Sequence, residues 1–303
     1  MNDKALVAAR YAILVMCFWL PPQRRKAMER WLRGHEEYRR LQRADWVLVS
    51  WGKSGRTWLR VMLSRAYQLK AGLSGEKLLE FDNLHKLDES LPVVFFTHNN
   101  YIGDYTGVSE PQAQFEGKRV VLLARDPLDV AVSQYFQWKF RMHPNKKFIN
   151  AYPPHGADID IWDFVTNREV GVPRIVDFLN GWARAIPVLR DLLIVRYEDA
   201  RASPERILTK ILDFTGTPVT AAEVKAAVDF ASYDNMKKME QTRFFKGSGS
   251  RVRPGNENNP QSFKVRKGKV GGYRDYFTDE QCARLEQMAA GLDPIFGYRG
   301  QPS

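Results

Sequence analysis

The chain has 303 residues, with 46 Lys and Arg against 35 Asp and Glu, for a formal net charge of +11. A chain of this length buries a large core without metal or disulfide staples, and no internal repeat or low-complexity break divides it. Its two cysteines, Cys17 and Cys282, fit a reducing compartment and exclude a disulfide framework, while the basic excess implies an anionic partner.

The run Tyr11 to Leu20 is apolar, preceded by Lys4 and Arg10 and followed by Pro21, Pro22 and a basic stretch. Ten residues are too few to span a bilayer, and no small-residue cleavage site follows to mark a signal peptide. Two readings stay open. Leu6 to Leu20 is either a helix packed on the domain or an amphipathic segment in a membrane interface, with Arg24, Arg25, Lys26, Arg30 and Arg33 facing anionic lipid. Residues 1–44 thus read as a basic, apolar helical extension, with peripheral membrane contact through residues 1–33 under the second reading. One domain follows over residues 45–303.

Trp46 to Ser50 is a short apolar strand that runs into Trp51-Gly52-Lys53-Ser54-Gly55-Arg56-Thr57-Trp58, and a helical pattern of Trp58, Val61, Met62, Arg65 and Ala66 follows. Strand, Gly/Ser loop and helix start together form an anion site. Backbone N–H groups and the positive helix end face the anion, Lys53 adds charge, and Ser54 and Thr57 add hydroxyls. A nucleotide-triphosphatase loop ending at Gly52-Lys53-Ser54 requires glycine at position 47, where the chain has Val47.

Pro92 to His98, Lys118 to Asp126 and Leu192 to Arg196 are three further buried-strand runs. Asp126-Pro127 starts a helix with a cap and a first-turn proline, and Ser203-Pro204-Glu205-Arg206 opens another that ends at Gly216. Continuous apolar strands alternating with helices predict an α/β fold: a mainly parallel central sheet flanked by helices on both faces, with a P-loop-like loop after the first strand. Ligands of such sheets sit beyond the carboxyl ends of the strands, which collects Lys53, His98, Arg125 and Tyr197 at one edge. Met142 to Asp160 and Lys246 to Lys269 read as long irregular loops of the kind that serve as lids or binding segments.

With these strand ends in place, the chain resembles the sulfotransferases that use 3′-phosphoadenosine-5′-phosphosulfate (PAPS). Residues 51–58 look like their 5′-phosphosulfate loop, and Arg125-Asp126-Pro127-Leu128-Asp129-Val130-Ala131-Val132-Ser133 looks like their 3′-phosphate segment. Arg196-Tyr197-Glu198-Asp199, Pro204-Glu205, Ser232-Tyr233 and the stretch from Arg266-Lys267-Gly268 through Tyr276-Phe277-Thr278 match in order, so the likeness runs from about Asp45 to Gln287.

The resemblance implies one sulfotransferase domain over residues 45–303 and roles for named residues. Lys53, Ser54, Gly55, Arg56 and Thr57 would hold the phosphosulfate. Arg125 and Ser133 would hold the 3′-phosphate, with Arg266, Lys267 and Gly268 closing over it. Trp58 and Tyr233 would sandwich the adenine, with Tyr197 beside it. His98 would be the general base, Lys53 would stabilise the bridging oxygen, and Ser54 would hold Lys53 back until the acceptor arrives. No metal-ligand spacing appears, and the family's reaction requires none.

Two departures stand out. Many members carry lysine two residues before the catalytic histidine; here it is Phe96, so that charge is missing or supplied elsewhere, for instance by Arg56. The dimerisation pattern of animal cytosolic members maps onto Arg274, Thr278, Asp279 and Ala283, where only the threonine matches, so the pattern gives no ground for that dimer. The expected activity is sulfuryl transfer to a hydroxyl, or less readily an amine, of a small-molecule, lipid or sugar acceptor in the cytoplasm or at the membrane surface.

The alternatives are an ATP-dependent small-molecule kinase, opposed by Val47 and the Arg125/Ser133 pair, and an adaptor with a dead site, opposed by Lys53 and His98 together. With no nucleic-acid module in the chain, nucleic acid is not an expected partner. The acceptor loops would be Leu84 to Leu91, Tyr101 to Val108 and Met142 to Asp160, and their Leu, Tyr, Phe and Ile content predicts a partly apolar acceptor.

Overall fold

The computed structural model describes residues 3–245, 252–266 and 268–298. The four apolar runs form β1 (Trp46–Ser50), β2 (Val94–Thr97), β3 (Arg119–Ala124) and β4 (Leu192–Arg196), all parallel, in the order β2-β1-β3-β4. Helices α1 (Asp3–Met16) and α2 (Pro22–Arg43) precede the sheet, α3 (Arg56–Lys70) follows β1, and α4 (Ile102–Thr106) follows β2. Between β3 and β4 come α5 (Pro127–Phe140), α6 (Pro144–Ile149), α7 (Ile161–Thr166) and α8 (Val172–Arg184). After β4 the described helices are α9 (Tyr197–Ala202), α10 (Pro204–Phe214), α11 (Ala221–Phe230), α12 (Tyr233–Thr242) and α13 (Asp279–Met288).

Side chains alternate along a strand, so an unbroken apolar strand must be covered twice. Val47 and Val49 pack on one face against α5, α7, α8 and α13, while Trp46 and Leu48 pack on the other against α3, α10, α11 and α12. In register, Val49 lies beside Thr97, Ser50 beside Leu123 and Ala124 beside Arg196, so all four strands end at one edge. The chain leaves β1 toward β2 on one side, and β3 lies on its other side. The crevice between the loops after β1 and β3 is therefore the switch point where such sheets bind ligands.

Local chemistry sets the helix ends. Asp126 accepts the Leu128 N–H at 2.8 Å and Pro127 occupies the first turn of α5, as the sequence predicts. Thr278 caps α13 in a capping box with Gln281, which accounts for this threonine without any subunit contact. Three expectations change. The Met142 to Asp160 segment is not irregular throughout: α6 forms inside it, with Pro144 in its first turn and the His143 ring accepting the Asn145 N–H at 3.3 Å. Ser203 makes no side-chain cap, leaving Pro204 to start α10. Tyr197 opens a helix, α9, that the sequence does not announce.

Helix α1 lies on α2. Arg10 Nε donates to Glu36 Oε1 at 2.8 Å, with its guanidinium 3.8 Å from Glu29, and Leu6 is buried. The outward face is apolar: Tyr11, Val15, Met16, Phe18 and Trp19 are 58 to 73% exposed.

Candidate active site

The loop after β1 is shaped by two left-handed residues, Lys53 (φ 72°) and Gly55 (φ 97°). A Cβ at Gly55 would lie 2.5 Å from the Tyr197 ring, so glycine meets both the backbone demand and the close approach of the ring. The Gly55 carbonyl accepts from Trp58 N at 3.0 Å and Leu59 N at 3.2 Å. The N–H group of Thr57, which lines the cavity, comes too early in the helix for such a bond and is placed for an anion.

Arg125, just past β3, ties this loop to the rest of the edge. Its guanidinium donates to the carbonyls of Lys53 (3.2 Å) and Lys269 (3.2 Å) and to Asp129 Oδ2 (3.4 Å), and it stacks 4.3 Å over the Tyr197 ring. Asp129, buried in the first turn of α5, also accepts from Gly271 N (2.9 Å) and Tyr273 N (3.0 Å). Arg125 Nε is buried without a partner, and Ser133 lines the same cavity. Tyr233 donates to the Arg266 carbonyl at 3.1 Å, while the Arg266 guanidinium stacks on Phe136 at 4.0 Å and donates to the Tyr276 hydroxyl.

His98 follows β2. Its Nδ1 lies 2.6 Å from the Ser50 carbonyl, which can only accept, so Nδ1 carries the proton and Nε2 presents a lone pair. Arg56 donates to that lone pair at 2.7 Å. Desolvation first, then the Arg56 charge, hold the imidazole pKa well below its usual value, so His98 is a neutral base at physiological pH. Of the other four histidines, His35 stacks with Trp31 and Tyr105, His85 bonds the Leu91 carbonyl and His155 pairs with Lys147, while His143 lines the same cavity with its Nδ1 accepting the Asn145 N–H.

Cations dominate this end of the cavity. Desolvation, with Arg141 and Arg125 nearby, lowers Lys53 to about 7. Desolvation and then Lys53, Arg141 and Arg56 push Lys264 well below the usual lysine range. Lys264 is held by buried Glu240, whose two carboxylate oxygens accept the N–H groups of Lys264 (2.7 Å) and Val265 (2.9 Å) and which lies 3.4 Å from Arg141. Sequence reasoning missed Lys264, Glu240 and Arg141. Asp129 had a signal in its i,i+4 spacing from Arg125, but the contact of α12 with residues 264–265 is tertiary and leaves no trace in spacing.

One cavity of about 1110 Å³ opens at this edge, above the ~300–1,000 Å³ of an ordinary small-molecule pocket. It collects Lys53, Gly55, Arg56, Thr57, Trp58, His98, Arg125, Ser133, Tyr197, Tyr233, Arg266 and Gly268. Ser54 is the exception: it is buried beneath the loop and does not line the cavity. Lys267 lies outside the described residues.

Residues 43–290 match the family model of the sulfotransferase domain. The chain belongs to the sulfotransferase family. It is 24% identical to cytosolic sulfotransferase 15 of Arabidopsis thaliana, over 96% of this chain and 81% of the relative, and 25% identical to the flavonol 3-sulfotransferase of Flaveria bidentis, over 84% and 83%. Among solved structures it shares its fold with mouse sulfotransferase SULT7A1 complexed with PAP, the donor's 3′,5′-bisphosphate product. The TM-score is 0.52 at 20% identity, covering 81% of this chain and 83% of that one. Retinol dehydratase in complex with androsterone and PAP gives a TM-score of 0.52 at 16% identity, covering 80% and 78%.

The enzyme is therefore a sulfotransferase and the kinase alternative falls. The residues present suit the donor of this family. Lys53, Lys264 and Arg125 crowd this end of the cavity, and burial with mutual repulsion opposes the protonation of both lysines; an anion carrying several phosphate and sulfate charges would restore it.

The expected acceptor loops contribute unevenly to the cavity. Leu84 to Leu91 does not line the cavity: Leu84 and Leu91 are buried in the core beneath the sheet. Gly103, Asp104 and Val108 contribute, as do Met142, His143, Lys146, Asn150 and Tyr152, but so do Ser109 to Gln112 and α8 from Arg174 to Arg184. The lining mixes charged and apolar groups: Arg30, Lys146, Arg174 and Arg184 stand with Asp104, Glu110, Glu169 and Asp177, and Trp51, Val108, Met142, Tyr152 and Phe178 lie beside them. Arg30 forks onto Asp104 at 2.9 and 2.7 Å. Among the described residues, no helix is long and apolar enough to cross a membrane, and no group of three or more His, Cys, Asp or Glu is placed to hold a metal.

Proposed function

We propose that the loop from Lys53 to Trp58 receives the phosphosulfate end of PAPS, that Arg125 and Ser133 bind its 3′-phosphate with Arg266, Lys267 and Gly268 closing from the far side, and that Trp58 and Tyr233 enclose the adenine beside Tyr197. When bound, the donor supplies the electrophilic sulfuryl group. His98 takes the acceptor hydroxyl proton at Nε2, where the Arg56 N–H now sits, and its Nδ1–H bond to Ser50 stabilises the imidazolium that results. The Lys53 ammonium faces the oxygen on which charge builds as the donor departs. Lys264 and Arg56 add cations on the side where Phe96 carries none; Phe96 instead packs against Trp46 and under Arg60. The observation that carries the reading is His98, neutral and tautomerically fixed, in the same cavity as the unneutralised Lys53.

The test is thermal. PAP should raise the melting temperature by mass action, and ATP with magnesium should raise it much less, because ATP has no 3′-phosphate for Arg125 and Ser133. A larger shift with ATP would reject the donor assignment. Because Lys53 titrates near 7 in the free protein and an anion restores its proton, PAP binding at pH 8 should take up protons, read by calorimetry in buffers of different ionisation enthalpy.

We also propose that the enzyme is cytoplasmic and docks on an anionic membrane through α1. The support is charge complementarity beside an apolar face: Phe18 and Trp19 protrude, Arg24 and Arg25 follow on the exposed start of α2, and Arg30, farther along α2, already lines the cavity. Full-length protein should sediment with phosphatidylglycerol-containing vesicles at low salt and less so at high salt. The double variant Phe18→Ser, Trp19→Ser should lose binding with its melting temperature unchanged. Indifference to such vesicles at low salt, or concentration-dependent self-association that the double variant abolishes, would reject membrane docking.

A further inference from the structure

Glu240 is 0% exposed, yet it belongs to the wall of the cavity at the end assigned to the donor. A carboxylate there opposes an incoming anion, so its charge alone gives no reason for its place. Its bonds do. One oxygen accepts the Lys264 N–H at 2.7 Å and the other the Val265 N–H at 2.9 Å, where an amide side chain would present one oxygen only. Seven residues earlier on α12, and so on the same face, Tyr233 donates to the Arg266 carbonyl at 3.1 Å. Residues 264 to 266 are thus pinned to one helix. Arg141 braces the segment from its other end, 3.4 Å from the Glu240 carboxylate and donating to the Ser262 carbonyl at 2.5 Å.

The pinned segment reaches toward the reacting end. Val265 packs on the apolar cluster that also holds Phe96, and the Arg60 guanidinium stacks 3.8 Å over the Phe96 ring. After burial, the charges that hold Lys264 below the lysine range are those of Lys53, Arg141, Arg56 and Arg60, and Lys264 is itself among the cations that, after burial and Arg56, hold His98 low. Lys264 therefore stands within electrostatic reach of the phosphosulfate loop and of the proposed base. We infer that Glu240 is a positioning residue that seats two donor contacts as one piece, the Lys264 ammonium against the sulfuryl group and Arg266 against the 3′-phosphate. The inference rests on the donor-site reading and adds to it a contact with the one part of the donor that PAP lacks.

Calorimetry with PAPS and with PAP reads the two contacts apart and needs no acceptor. Lys264→Met should weaken PAPS about tenfold, the worth of one hydrogen bond to a charged group, and PAP far less, and Lys264→Arg should recover most of the loss. Burial and neighbouring cations oppose a charge at 264, so at pH 7 Lys264→Met should melt no lower than the parent. Glu240→Gln leaves one N–H unmet and should weaken both ligands, PAPS more than PAP. In the double variant the ratio of PAPS to PAP affinity should match that of Lys264→Met alone, because the excess passes through Lys264. A merely structural Glu240 would weaken both ligands alike and leave the ratio where it was. If Glu240→Gln melts early, Glu240→Asp, which keeps both oxygens at a shorter reach, takes its place. An unchanged ratio in Lys264→Met or in the Glu240 variant, or changes that simply add in the double variant, overturns the inference. Failure of PAP to bind the parent protein overturns instead the donor-site reading beneath it.

Discussion

His98→Ala should lower kcat by about 10²–10⁴-fold while the PAP Kd changes far less, because the ring acts on the acceptor proton and meets the donor loop only through the Arg56 guanidinium. Its environment also sets the pH profile. Burial and Arg56 both disfavour the imidazolium, so the folded pKa lies below the ordinary 6.5 and the base stays unprotonated above that pH. The acid limb of kcat/KM should therefore fall below pH 6.5. Arg56→Met removes a positive charge, stabilises the imidazolium and raises the pKa, so the limb should move toward neutrality while kcat also drops with the loss of a cation near the transferring group. Normal turnover by His98→Ala, or a profile that Arg56→Met leaves in place, would remove His98 from the role of base.

With His98 as the proposed base, Arg56 would keep it quiescent before the acceptor arrives: the 2.7 Å contact occupies the Nε2 lone pair that would take the proton, so an acceptor hydroxyl would have to displace the guanidinium, which would stay beside the reacting group. This gives the chain a local answer to Phe96: the positive charge enters from α3 rather than from β2, whose side chain at that position is committed to the core with Trp46.

The parallel sheet and its ligand edge were legible because burial on both faces leaves a plain mark, an unbroken apolar strand such as Val47-Leu48-Val49, and because strand ends in such a sheet must gather their loops. Lys53, His98, Arg125 and Tyr197 follow from that rule. Ser54 did not, since its position in the loop gives no hint that it points beneath the loop rather than into the cavity. The expected acceptor loops divide in a related way. Leu84, Leu91, Ile102 and Ile149 are buried in the molecule, while Asp104, Val108, Met142, Lys146, Asn150 and Tyr152 line the cavity. Composition of a loop reports what it contains; only the fold decides which half of it meets the ligand. Glu240 and Lys264 stayed invisible because their pairing joins α12 to a segment 24 residues on, through backbone N–H groups that every sequence carries.

Arg125→Ala should raise the PAP Kd by about 10–100-fold, the range for losing charge-assisted hydrogen bonds to a phosphate, while kcat at saturating donor falls much less. The guanidinium is placed in advance: two carbonyls, Asp129 and the face of Tyr197 fix it, leaving Nε free. Arg125→Lys keeps the charge but cannot bridge the Lys53 and Lys269 carbonyls with a planar fork, so it should recover only part of the affinity. Asp129→Asn separates position from charge. It weakens the partner of Arg125 and the acceptor for Gly271 and Tyr273 N–H together, so it should weaken PAP binding through the loosened 269–273 segment. Combined with Arg125→Ala its effect should be less than additive, since both act through one network. An unchanged PAP Kd in Arg125→Ala, measured by calorimetry on protein whose unliganded melting temperature matches the parent, would take the 3′-phosphate away from this edge of the sheet.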